Sequence, residues 1–268
     1  MKLTTYINKN LEMVIFFALV ALLVFLIARR SMDGFFTQQH GINRLDAIIY
    51  INLENRGDRK ELLMKELEKL NTIMGKVHKV SGVFIPKNGH KGCIQSHILA
   101  LNMVKLNKWK RVLILEDDAE MDMSPEAFNN MLNRVLDTLD EKAPNWNVFM
   151  LGTANKVIKK NESEFPITVE GADSVDNNKS ELKIQRLDTA TTSSAYIVKE
   201  SYVDDILNLF KSCNDNMAPE KLSGDGFEHW ALDQKWADLQ RKDNWYCLDK
   251  DPIKQRAIWS TIISESHS

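Results

Sequence analysis

Hydrophobic residues recur along this chain in two rhythms. Short unbroken apolar runs at residues 46–53 (DAIIYINL), 111–115 (RVLIL) and 146–151 (WNVFML) have the pattern of strands covered on both faces. Residues 182–187 and 195–198 read as further strands, with 77–83 a candidate for another. The stretches between them carry helical spacing. Leu63, Leu67 and Leu70 share one face of a helix over about residues 59–70, and Ile94, His97, Ile98, Leu101 and Val104 do so over 93–107. Ser124-Pro125-Glu126 opens another helix with a capping serine, a proline at the first position and an early acid. Its buried stripe is Phe128, Leu132, Val135, Leu136 and Leu139. Residues 202–211 and 227–240 read as two more helices, and the charged, irregular stretch 156–179 as a surface loop or small insertion. Strands alternating with helices predict an α/β fold around a mostly parallel central sheet. In such folds ligands bind beyond the carboxyl ends of the strands.

Upstream of this pattern, residues 13–28 (MVIFFALVALLVFLIA) form an unbroken apolar run of 16 residues. A bilayer core takes about 20 helical residues, with about 17 as the lower limit, so the run is a short span suited to a thin membrane. It has no polar face, is flanked by Lys9 and Arg29, and ends in Ala28-Arg29-Arg30 without a small-x-small cleavage site. These features favour an uncleaved anchor over a signal peptide or a core helix. The expected organisation is one transmembrane helix within residues 1–30, a stem over 31–45 and one folded domain over 46–268. Lys2 and Lys9 precede the span and Arg29 and Arg30 follow it, so the charge balance leaves the orientation open. Two glycosylation sequons, Asn161-Glu162-Ser163 and Asn178-Lys179-Ser180, lean toward a secretory-pathway lumen.

Composition narrows the picture. A chain of 268 residues, 44% hydrophobic and 27% charged, can bury one substantial core. A net charge of -2 gives no basic footprint for nucleic acid. Cys93, Cys213 and Cys247 lack the spacing of zinc ligands; Cys213 and Cys247 could bridge in an oxidising compartment, or all three could be free thiols.

The candidate chemistry lies where RVLIL runs into Glu116-Asp117-Asp118. On an extended segment Glu116 and Asp118 face one side and Asp117 the other. Two carboxylates at a strand end can hold a hard cation such as Mn²⁺ or Mg²⁺. Such an ion would bridge the phosphates of a nucleotide-sugar and neutralise the departing diphosphate. The plain alternative is a solvated acidic turn.

Several blocks around this cluster carry a family resemblance. They are IIYINLENRGDRKELL (48–63), GHKGCIQSHILAL (89–101), VLILEDDA (112–119), TTSSAYIVKES (191–201), Asp233 with its following helix, and DPIKQRAIWSTI (251–262). In that order they resemble glycosyltransferase family 25, which includes bacterial lipooligosaccharide galactosyltransferases and collagen galactosyltransferases. The most specific pair is the glycine-cysteine-serine-histidine block with LEDD. One departure is Ser194, near which many relatives carry histidine or glycine, so acceptor or sugar choice is expected to differ.

The resemblance implies a GT-A-like nucleotide-sugar-binding fold, with 46–268 as the catalytic domain and a metal-dependent, inverting transfer. The donor it implies is a UDP-linked hexose such as galactose, and the acceptor a glycan or glycoprotein. By matching position, Asp118 would be the main Mn²⁺ or Mg²⁺ ligand and Glu116 would contact metal or ribose. Asp117 would steer the donor sugar. Asn52, Arg56 and Arg59 would meet base, ribose or phosphate, although Arg59 also reads as an exposed first turn of a helix. Gly92, Ser96 and His97 would line the donor site, with a satisfied core histidine as the alternative for His97. Asp233 would be the base on the acceptor side, with Asp225 and Glu228 as alternatives, and Gln255 and Ser260 would help close the donor site. A membrane-held binding protein with a degenerate transferase fold and a two-metal phosphohydrolase are competing readings. Retention of both signature blocks argues against the first, and the lack of a second ligand cluster against the other.

Overall fold

The structure is a computed structural model that describes residues 19–24, 40–170, 179–218 and 227–257. It divides into two units, residues 1–40 and 41–268. Residues 19–24 of the first unit are helical, and no helix among the described residues is long and apolar enough to cross a membrane. The rest of the expected span, and residues 31–39 of the expected stem, lie outside the described residues.

The second unit is built on a nine-stranded sheet. Its first strand, β1 (Ala47–Asn52), is flanked by β2 (Val77–Ser81) and β3 (Arg111–Glu116), both parallel to it. Next to β3 comes β9 (Ala195–Lys199), antiparallel to β3 and to β5 (Val148–Met150) on its other side. β10 (Trp245–Leu248) continues parallel to β5, and β8 (Lys179–Thr191) lies antiparallel to β10. β6 (Ala154–Ile158) and β7 (Phe165–Glu170) pair antiparallel with β8. All strands except β8 and β9 therefore point one way, so the sheet is mostly parallel in direction with a reversed strand inside it.

Both faces of β1 are buried, which explains its unbroken apolar run. Ile48, Tyr50, Leu113 and Leu115 face the core under α1 (Gly57–Lys69) and α3 (Pro125–Lys142). Ala47, Ile49, Ile51, Val112 and Ile114 face the core under α2 (Gly89–Asn107) and α4 (Val203–Asn216). The chain thus leaves β1 toward one face and β2 toward the other. A crevice opens beyond their carboxyl ends where the two connections part. Two caps fix the helix entrances nearby: Asn88 accepts from the Lys91 amide at 2.9 Å to start α2, and Ser124 accepts from Ala127 at 3.2 Å to start α3.

Two expectations change. The stretch 156–179 is not a plain loop: it includes the end of β6 and all of β7, whose Ile167 and Val169 are buried while Pro166, Thr168 and Glu170 are exposed. That alternation is short and sits among charges, so it does not stand out. The expected helix over 227–240 is broken into a turn of 3-10 helix (Phe227–Trp230), α5 (Leu232–Lys235) and α6 (Ala237–Lys242), with Trp236 fully buried at the junction. The indole of Trp236 donates to the Ala190 carbonyl at 2.9 Å, and that anchorage fixes the break. A two-stranded ribbon of β4 (Ala119–Met121) and β11 (Ile253–Gln255) is too short to read from sequence. Cys213 and Cys247 are buried free thiols, so neither forms the bridge that was open to them. Asn161 is exposed at a turn; Asn178 lies outside the described residues.

Candidate active site

The carboxyl ends of β1, β2 and β3 frame a cavity of about 130 Å³. Its walls include Arg59 from α1, the loop after β2, Cys93 and His97 from α2, and Glu116, Asp117 and Asp118. Four separated segments of the sequence, the last of them contributing Gln255, therefore meet at one point.

β3 ends at Glu116, and Asp117-Asp118 form the turn into β4. The alternation of an extended strand stops there, so Asp117 does not turn away from its neighbours as expected. Asp117 is buried and fully engaged: Oδ1 accepts from Arg59 Nη1 at 2.8 Å and Oδ2 from Asn52 Nδ2 at 2.8 Å. The same Arg59 nitrogen lies 3.5 Å from Asp118 Oδ2. Arg59 is thus buried at the cavity wall, not an exposed first turn. Asn52 also donates to the Arg56 carbonyl at 2.9 Å, tying the loop after β1 to the acidic turn. Arg56 itself pairs with Asp58 at 3.0 Å and is not among the residues that line the cavity.

His97 is completely buried, with one ring nitrogen 3.0 Å from the Tyr196 hydroxyl and the other 3.3 Å from Glu116 Oε1. It is a satisfied histidine, and what it satisfies is a cavity carboxylate. Ser193 donates a second hydrogen bond to the same oxygen of Glu116. Burial alone would raise the Glu116 carboxyl, but these two partners and the charge of Arg59 hold it below its ordinary range. Asp118 has no such support. Burial first, and the Glu116 charge second, push its carboxyl up to about 7, against the pull of Arg59. Its Oδ1 is buried with no hydrogen-bond partner among the described residues.

Gly92 and Ser96 are explained by packing. A Cβ on Gly92 would lie 2.3 Å from the Val83 carbonyl oxygen, so glycine lets α2 press against the loop after β2. Ser96 accepts from the Val83 amide at 2.8 Å and donates to the Gly92 carbonyl at 2.7 Å. Both residues hold the cavity wall; neither offers a free polar group from its side chain.

Asp233 lies in a neighbouring open groove with Asn155, Thr191, His229 and Lys235, not on the cavity wall. Its Oδ2 accepts from the Thr192 amide at 3.0 Å and holds a left-handed turn, φ 71° at Thr192, just before Ser193. It remains within electrostatic reach of Cys93. Asp225 and Ser260 fall outside the described residues, and Glu228 belongs to the 3-10 turn. Gln255 does line the cavity, because β11 brings it there and the Arg256 amide donates to the Asp118 carbonyl at 2.7 Å.

Three participants were not singled out from sequence. Ser193 and Tyr196 lay in the TTSSAY block but carried no expected role, and Cys93 was set aside for want of zinc spacing. The signal for Ser193 and Tyr196 is their place at the entry to β9, the strand hydrogen-bonded to β3.

A sequence profile described as glycosyltransferase family 25 (LPS biosynthesis protein) matches residues 87–222, about half of the chain. No individual curated protein matches. Among solved structures, the chain is similar to a mannose-1-phosphate geranyltransferase from Thermus thermophilus, with TM-score 0.41 and 11% identity over 78% of this chain and 75% of that one. It is also similar to a glycosyltransferase involved in the glycosylation of the major capsid of PBCV-1, with TM-score 0.36 and 10% identity over 75% of this chain and 91% of that one.

Proposed function

Because this chain belongs to glycosyltransferase family 25, we propose that it transfers a hexose, with inversion, from a UDP-linked donor to a hydroxyl of a glycan or glycoprotein. Galactose is the sugar we assign to the donor, and Mn²⁺ or Mg²⁺ the cation. The observation that carries the reading is Asp118 Oδ1, a buried carboxylate oxygen with no hydrogen-bond partner among the described residues, placed beside a second carboxylate and the buried guanidinium of Arg59. Two clustered carboxylates are an oxygen-rich donor set that fits a hard cation, whose charge would offset their mutual repulsion. Asp118 and Glu116 would hold that ion, and when bound it neutralises charge on the diphosphate leaving group.

The remaining residues prepare the cavity. Asp117 and Asn52 fix Arg59, whose fork geometry suits a phosphate oxygen. Asp117 therefore acts through Arg59 and not on the donor sugar. His97 and Ser193 hold Glu116 ionised and oriented. Asp233, on the far side of the Thr192 turn, is our assignment for the base that takes the acceptor hydroxyl proton. We further assign residues 13–28 as a membrane anchor.

A donor panel tests this reading. Purified protein is incubated with UDP- and other nucleotide-linked sugars, with Mn²⁺ or with chelator, and released nucleoside diphosphate is measured. The expected result is release from a UDP-hexose that requires the cation. Equal release in chelator, or release from no sugar nucleotide at all, would contradict it.

A further inference from the structure

Cys93 has no part in the scheme above, yet it lines the same cavity. It sits one helical turn before His97, on the same side of α2. One ligand atom from each of Cys93, His97 and Glu116 lies within 4.8 Å of the other two. The distance from His97 Nε2 to Glu116 Oε1 is 3.3 Å, close to the ~3.4 Å edge of a tetrahedron with metal–ligand bonds of about 2.1 Å. The other nitrogen of His97 faces the Tyr196 hydroxyl at 3.0 Å, whose oxygen can accept a hydrogen bond from Nδ1–H. That is the outer partner a metal-bound imidazole requires.

We propose that Cys93, His97 and Glu116 form a second cation site, selective for thiophilic ions of the Zn²⁺ and Cd²⁺ class, and that filling it takes Glu116 from the donor site and stops transfer. Sulfur and imidazole ligands select such ions over Mn²⁺ and Mg²⁺, which prefer oxygen. On binding, the thiol proton passes to solvent as the metal–sulfur bond forms, and nothing is oxidised. Water from the cavity could supply a fourth ligand. The inhibitory half rests on the role given to Glu116 above; the binding half does not.

Co²⁺ titration of the full chain tests the binding half directly, because a thiolate ligand produces a sulfur-to-cobalt charge-transfer band. One equivalent is expected to give that band in the unmodified protein, with Zn²⁺ displacing it, and the Cys93→Ser variant is expected to lack it. In parallel, Zn²⁺ added against excess Mn²⁺ should inhibit transfer, with about tenfold or more Zn²⁺ needed in Cys93→Ser. No band in the unmodified protein, or the same band in Cys93→Ser, would overturn the site. Because the band needs no turnover, it decides the matter even for a protein that accepts none of the donors offered. A band with undiminished activity under saturating Zn²⁺ would overturn the inhibitory half alone.

Discussion

Asp118 illustrates how a single residue can be costly to the fold and useful to the site. Its carboxyl is pushed up to about 7 by burial and by Glu116. The sign of the resulting pH dependence follows from proton counting. In strong acid Asp118 is protonated whether folded or unfolded and costs nothing. As pH rises toward 7 the unfolded chain releases a proton that the folded chain keeps, so stability falls, and the loss is complete above about pH 7. Asp118→Asn removes the charge that is penalised. Differential scanning calorimetry of metal-free protein should therefore show a higher Tm for the variant, by about 2–4 °C for each kcal/mol recovered. The gain should be larger at pH 8 than at pH 5, while cation-dependent transfer is lost. A Tm that falls, or a gain independent of pH, would show that Asp118 is not destabilised as described. At this scale the sequence was partly legible. LEDD announced carboxylates at a strand end, but the pairing of Asp117 with Arg59 is a contact between residues 58 positions apart. Nothing in the sequence shows that Gly92 and Ser96 meet the Val83 backbone, and Ser96 does so while also lining the cavity.

At the scale of elements, the acidic turn is held by a ribbon that the sequence pattern does not reveal. β4 and β11 pair antiparallel, and the Arg256 amide reaches the Asp118 carbonyl at 2.7 Å. Ile253 pins the ribbon into the core with no exposed surface. An Ile253→Asp variant places a charge in that apolar position and should undock β11. Expected are a near-native far-UV circular dichroism spectrum and at least a tenfold rise in the Mn²⁺ concentration needed for half-maximal activity. An unchanged Mn²⁺ requirement would mean that the turn keeps its shape without β11. Long apolar runs such as RVLIL were legible as strands because both sheet faces are covered. The short strands β4 and β11, and the helix broken at Trp236, depend on tertiary partners that no local pattern encodes.

At the scale of the whole molecule, the described site residues all belong to the unit that begins at Gly41. A chain starting at Gly41 should therefore unfold cooperatively with a Tm close to that of the full chain, and should turn over the donor at an equal rate. Flotation with lipid vesicles separates the two: the full chain is expected to float with the lipid and the shortened one to remain below. Both remaining below would remove the anchor assigned to residues 13–28. Loss of folding in the shortened chain would make that run part of the core. The alternation of strands and helices was enough to place the crevice, because in an α/β sheet the direction of the strands decides which end is open to ligand.

The account depends most on a cation joining the acidic turn to a diphosphate, and calorimetric titration of UDP addresses this directly. With Mn²⁺ present, the unmodified protein should bind UDP with a stoichiometry of one, while chelator or the Asp118→Asn substitution should weaken binding by about tenfold or more. UDP binding of equal strength in chelator, or equal Mn²⁺-dependent binding by the Asp118→Asn variant, would contradict it.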